Sequence, residues 1–274
     1  MRIPNAVHCA LLVVLASVVV ASTAMRSATA ASAESSEPLR PYVAALRSTL
    51  DARAATALDR IDGVGRQLLA IRSYLRSGPD LGHRWSWTEQ QIQAFEGSPE
   101  QQALLREIGI VRATFERMNP GYTLFVNERV RSLDEQLEQW NRNDSVAAAA
   151  SNLESSTAAL LEASHWPPSN TDRTLGRVAE FLSSHVPEPT PTLAAPGLSA
   201  HGQMNAVDFH VYRGDTPVAE PEASTIASTW DAQGWSERLR LAISESGAKF
   251  RGPLTQPREP WHYEYTPSCC MAPP

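Results

Sequence analysis

The chain has 274 residues, 42% hydrophobic and 20% charged, which fits one large or two modest globular domains. A formal net charge of −6 excludes nucleic-acid binding as the main function, because that affinity comes from basic side chains neutralising phosphates. Three cysteines make no disulfide framework: Cys9 stands alone, and Cys269 and Cys270 are neighbours. Adjacent Cα atoms are ~3.8 Å apart, short of the ~4.4–6.8 Å of an ordinary bridge. A bridge to another chain, two reduced thiols and a strained vicinal bridge stay open.

Arg2 precedes an apolar run from Ala6 to Ala24, followed by Ala28-Thr29-Ala30 and Ala31-Ser32-Ala33. A basic start, an apolar middle and small-residue cleavage sites predict a signal peptide over residues 1–33 and a periplasmic or extracellular protein. An uncleaved membrane anchor is the alternative, since about 18 apolar residues can span a bilayer. Cleavage removes Arg2 and Arg26 and no acid, moving the net charge from −6 to −8.

From Tyr42 to Leu75 apolar residues recur at steps of three and four, among them Val43, Leu46, Leu50, Leu68 and Ile71. This predicts one long amphipathic helix, or two meeting near Gly63 and Gly65, ended by the Ser-Gly-Pro at 77–79. Thr88 with Gln91 predicts a capping box for a short helix carrying Ile92 and Phe95. Ser98-Pro99-Glu100-Gln101 starts the next helix, whose buried stripe is Leu104, Ile108, Val111, Phe115 and Met118. Asn119-Pro120-Gly121 stops it.

Tyr122 to Asn127 predicts a short strand. Ser132 with Glu135 then starts a helix bearing Leu137 and Trp140. Residues 146–163 and 172–185 predict two more helices, and a proline-rich 187–196 predicts an extended connection. After Met204 the period becomes two: Val207, Phe209 and Val211 alternate with Asp208 and His210, giving a strand with one apolar face. A helix around Ser236 to Ser246 and a strand through Trp261, Tyr263 and Tyr265 follow. Helices preceding a mixed region with few strands predict an α+β protein.

Two segments carry chemistry. His201 stands seven residues before Asp208, and Glu259-Pro260-Trp261-His262 places a carboxylate three residues before a histidine. Two histidines and an aspartate can bind Zn²⁺ through nitrogen and oxygen and leave a fourth position for water. Such an ion lowers the pKa of that water and polarises a carbonyl. A nearby carboxylate, here Glu259, can then take the water's proton and pass it to a leaving amine. His210 shares the strand face of Asp208 and is expected outside the ligand set.

The motifs resemble those of the zinc D-alanyl-D-alanine carboxypeptidases and their endopeptidase relatives, whose fold is shared with the hedgehog signalling domain. Ser199-Ala200-His201 through Ala206-Val207-Asp208 is similar to the family's Ser-x-His-x6-Asp, and its Glu-Pro-Trp-His is complete at 259–262. The resemblance implies His201, Asp208 and His262 as zinc ligands, Glu259 as catalytic base and Ser199 beside the substrate. Val126 to Gln136 is similar to a third element, which implies that Arg131, and less directly Gln136, bind substrate carbonyl or carboxylate groups. A guanidinium suits that role because its paired donors never lose their charge. Trp230 and Gly234-Trp235 also fit the family's later part.

By the resemblance, residues 120–274 form a hedgehog/DD-peptidase-type domain, a small antiparallel sheet flanked by helices, after a helical region over 34–119. The implied activity is hydrolysis of amide bonds in peptidoglycan stem peptides, with terminal D-Ala-D-Ala as first choice and an endopeptidase cut close behind. Alternatives are a zinc-containing, non-catalytic wall-binding domain, and N-terminal helices that bind a protein partner. Two departures stand out. Met204 occupies a position where the family usually has glycine, and the interval 141–195 is long and helical, as if building one wall of the substrate cleft.

Overall fold

A computed structural model of the protein describes residues 37–164 and 172–267. The predicted signal segment, Cys269 and Cys270 lie outside those residues. In chain order the helices of seven or more residues before the first strand are α1 (Arg40–Arg47), α2 (Ala52–Leu58), α3 (Val64–Ser77), α4 (Glu89–Phe95) and α5 (Pro99–Met118). Strand β1 (Thr123–Val126) is followed by α6 (Leu133–Arg142), α7 (Asp144–Ser164) and α8 (Asp172–Ser184). The remaining elements are β2 (Ala206–Arg213), β3 (Thr216–Ala219), α9 (Trp235–Ser246), β4 (Phe250–Arg251) and β5 (His262–Tyr265). A small antiparallel sheet among many helices makes the protein α+β.

Local signals explain where the helices begin. Thr88 and Gln91, and Ser132 and Glu135, form reciprocal capping boxes, and the Ser98 hydroxyl accepts the Gln101 amide. The stripe from Tyr42 to Leu75 is three helices rather than one or two. Asp51 caps α2 by accepting the Arg53 amide, and Gly63 breaks the chain before α3. A periodic stripe records which side is apolar and passes over a turn that preserves it.

Two hydrophobic cores form, and each draws on distant parts of the chain. The helical core joins Leu46, Leu68 and Ile71 to Leu153, Val178 and Leu182, with α7 and α8 packed on α3. The sheet core joins Phe115 of α5 to Phe209, Trp230, Trp235 and Tyr263. Helix α5, which the sequence pattern groups with the N-terminal helices, therefore packs on β1 and α9. Leu104, Ile108, Val111 and Phe115 are buried as the stripe requires, but Met118 is 37% exposed. It is the last residue of α5.

The strand order is β1-β2-β5-β4, with β3 pairing β2 as a hairpin. Strand β2 is the spine, running antiparallel to β1 through Thr123↔Tyr212 to Val126↔Phe209. Its first half pairs β5 through Ala206↔Glu264, Val207↔Tyr263 and Asp208↔His262. Val207, Phe209, Val211 and Tyr263 face the core and are essentially inaccessible, while Asp208, His210 and His262 share the opposite face. The expected alternation is thus present in β2.

Replacing Phe115, which is fully buried beside Trp235, by alanine is expected to lower stability by about 3–5 kcal/mol in urea unfolding. Met118→Ala should change the same stability by no more than about 0.5 kcal/mol.

Candidate metal centre

Three side chains meet on the polar face of the sheet. Asp208 and His262 are cross-strand partners of β2 and β5, so the ladder itself brings them together. His201 comes from a single 3₁₀ turn, Ala200–Gln203, immediately before β2. Its Nε2 lies 3.2 Å from His262 Nδ1 and 3.4 Å from Asp208 Oδ2, and His262 Nδ1 lies 3.0 Å from Asp208 Oδ1. A tetrahedral ion bound at 2.0–2.2 Å holds its ligand atoms about 3.3–3.6 Å apart. The three donors already stand close to that spacing, from separate elements, so they could hold a metal ion.

The turn before β5 supplies the fourth group. The Glu259 amide bonds the Leu254 carbonyl, and the His262 amide bonds back to the Glu259 carbonyl. The Glu259 carboxylate is thereby set beside the cluster, Oε2 3.6 Å from His262 Nδ1. Arg131 reaches in from the loop after β1, its Nη2 3.4 Å from Asp208 Oδ2, while its backbone amide bonds the His201 carbonyl. Ser199 is buried at the start of the His201 turn and lines a cavity with Glu259 and His262.

Burial dominates the electrostatics. It lowers the His201 imidazole to about 4, against the opposing attraction of Asp208. It would raise Asp208 by itself, but the His262 hydrogen bond and the charges of His201, His262 and Arg131 hold that carboxyl at about 2. Glu259 is pushed up to about 7, chiefly by burial and further by Asp208, with His262 and Arg131 acting the other way. The cluster at neutral pH is therefore an anionic carboxylate beside a neutral imidazole, the forms in which these side chains bind a metal.

The site opens into two adjoining cavities. One, of about 520 Å³, is lined by Ser199, Glu259, Trp261 and His262 and walled by Pro191–Ala194. The other, of about 670 Å³, is lined by Phe125, Asn127, His210 and Glu220. Both border Arg131, Gln139, His201 and Asp208, so the cluster sits where they join. From the long interval 141–195 the non-helical Pro191–Ala194 lines the first of these cavities, and neither of the interval's helices, α7 and α8, does so. His210 stays out of the ligand set, its ring packed edge-on against Phe125.

Gln136 is placed differently from the substrate-binding role drawn from the resemblance. Only 5% exposed, it donates to the Ser86 hydroxyl and the Arg131 carbonyl and accepts from the Gly197 amide. Its polar atoms are occupied behind the site. Gln139, one helical turn further on, borders both cavities instead. Sequence reasoning passed over it because α6 offers two glutamines three residues apart, and only the packing of Leu137 and Trp140 decides which one faces inward. Trp85 and Trp87 pack against Tyr74 and Phe95 respectively.

No protein-family model, curated protein or solved structure matches this chain.

One divalent ion per chain is the expected stoichiometry by metal analysis after dialysis. At free metal a hundredfold above its Kd, wild-type stability should rise by about 2.7 kcal/mol. His262→Ala should lose both the bound ion and that increment.

Proposed function

We propose that the protein is a zinc-dependent peptidase that hydrolyses amide bonds in the stem peptides of peptidoglycan, outside the cytoplasm, with a hedgehog/DD-peptidase-type fold. The observation that carries this reading is the convergence of His201, Asp208 and His262 with an independent carboxylate, Glu259, at the junction of two cavities. A structural ion needs no base beside it; an ion that activates water does. The substrate class follows from the likeness of Ser199–Asp208 and Glu259–His262 to the D-alanyl-D-alanine carboxypeptidase motifs.

The donor set is nitrogen, nitrogen and oxygen, which suits zinc and leaves one position open. Bound there, zinc would supply Lewis acidity for the scissile carbonyl and lower the pKa of water at the site. The chain's own residues do the rest. Glu259, held near neutrality by burial, accepts a proton from the attacking water as the new carbon–oxygen bond forms. The same carboxyl then delivers that proton to the amine nitrogen as the carbon–nitrogen bond breaks. Arg131, 29% exposed at the mouth, has guanidinium donors to spare for a substrate carboxylate or carbonyl. Buried Ser199 and Trp261 line the cavity beside Glu259 and His262, where the scissile amide would be received.

A carboxypeptidase uses Arg131 to hold a free terminal carboxylate. One observation favours the endopeptidase form as a second reading: two adjoining cavities border the cluster, leaving room for chain beyond the cut bond. Among the described residues no helix is long and apolar enough to cross a membrane.

Purified protein incubated with defined muropeptides is expected to release product only when zinc is present, with chelator abolishing it. Glu259→Ala should retain the ion and lose kcat by about 10²–10⁴-fold. Arg131→Ala should act mainly on KM. Mass spectrometry of the products separates loss of terminal D-Ala from a cut within the stem or cross-link. No product from any muropeptide by a zinc-loaded chain would sink the peptidase reading and leave a zinc-containing binding domain.

A further inference from the structure

The loop that carries His201 is held from outside the two motifs. The segment His83–Trp87, between α3 and α4, lies along residues 197–203 and bonds them at both ends. The Ser86 amide donates to the Gly197 carbonyl at 2.8 Å, and the Trp87 amide donates to the Gly202 carbonyl at 2.9 Å. From the other side, Gln203 Nε2 donates to the His83 carbonyl at 2.9 Å and the Trp85 carbonyl at 2.8 Å. Gln136 completes the frame: it links the Ser86 hydroxyl, the Gly197 amide and the carbonyl of Arg131.

The contact is also close in the steric sense. A Cβ at Gly197 would stand 2.6 Å from the Trp85 ring, and one at Gly202 would overlap the Ser86 hydroxyl. Both glycines are needed for this approach, and Gly197 has φ +86 besides. Trp85 in turn packs on Tyr74, whose hydroxyl donates to the Pro196 carbonyl. Tyr74 and Trp85 belong to the helical core, and Ser86 and Gln136 are themselves buried. The chain of contacts therefore runs from the helical core, through Trp85 and Ser86, to the His201 turn.

We infer that His83–Trp87, with Gln136, is a positioning strut for the metal centre: it fixes His201 and Arg131 relative to the Asp208–His262 pair. The helical part of the chain is then a working component of the site, in place of a separable partner-binding module. Asp208 and His262 are set by strand pairing and need no such support, whereas a four-residue 3₁₀ turn has no stiffness of its own. The strut supplies it. The inference rests on the zinc reading, but its test separates the two.

Zinc affinity of the full chain is measured by competition with a chromophoric chelator, and the visible spectrum of the cobalt-substituted protein is recorded beside it. Two variants are compared with wild type: Gln203→Glu, which removes both donors to the strut, and Ser86→Ala, which deletes one buried hydroxyl and gives the milder perturbation. Zinc affinity should fall about tenfold or more in Gln203→Glu and less in Ser86→Ala. The cobalt band should change in both, while the metal-free stability of Ser86→Ala falls by no more than the ~1–3 kcal/mol that one unpaired buried donor costs. Unchanged affinity and spectrum in both variants would overturn the strut. So would parallel loss of metal and of metal-free stability in both, which marks a general packing role. A wild-type chain that takes up no zinc would overturn the metal reading itself, before any variant is made.

Discussion

Everything at the site depends on the register of β2 against β5. Opposing Asp208 to His262 puts an oxygen and a nitrogen donor on one face, and the same register puts Val207 opposite Tyr263 on the other. A slip of one residue would turn Phe209 into the cleft and send Asp208 into the core. The hydrophobic face forbids that slip: Val207, Phe209 and Tyr263 are each worth roughly 1.5–3 kcal/mol buried. The apolar side of the sheet thus sets the geometry of the polar side, and the spacing of the candidate ligands is inherited from core packing.

The polar face carries a cost that the ladder alone does not meet. Asp208, Glu259 and two imidazoles are largely withdrawn from water, and a buried charge is tolerated only when it is paired or binds a metal. Asp208 is the best compensated, with His262 and Arg131 both against its oxygens. Glu259 has His262 at a longer reach, which is why burial prevails there and its carboxyl is pushed upward. Two carboxylates a few ångströms apart are driven in opposite directions by their surroundings. Under the proposed reading, that division would separate a ligand, which must stay ionised, from a base, which must take and return a proton.

What could be read in the residues divides by range. Caps at Thr88, Ser98 and Ser132, the alternation through Val207 to Val211, and the meeting of His201, Asp208 and His262 were legible, the last through motif likeness. Each local feature depends on neighbours a few residues away. Long-range choices were not legible. The stripe on α5 shows that one side is apolar and does not say that it faces α9 and β1 and not α3. The split of Tyr42–Leu75 into three helices hung on Asp51, whose capping role depends on a turn that the stripe conceals. The alignment of Gln136 inward and Gln139 toward the cavities is a rotation about one helix axis, set by Leu137 and Trp140 entering the helical core. The bonds from His83–Trp87 to the His201 loop cross more than a hundred positions, and no local pattern announces them.

Met204 shows how such a loop can tolerate a residue that the motif likeness would make glycine. It adopts the left-handed conformation, φ 50° and ψ 24°, the one non-glycine residue with positive φ recorded among the described residues. That geometry costs an L-residue roughly 1–2 kcal/mol. Its side chain, 3% exposed, lies in the sheet core with Val207 and Trp261, and burying a methionine returns about 1.5–3 kcal/mol. The two terms are of one size. Glycine would relieve the strain and forfeit the anchor, so the turn between His201 and Asp208 keeps its shape here by burial where glycine would keep it by freedom. A residue that looked like a departure in the loop is consistent with the same ligand geometry, because the sheet core holds it in place.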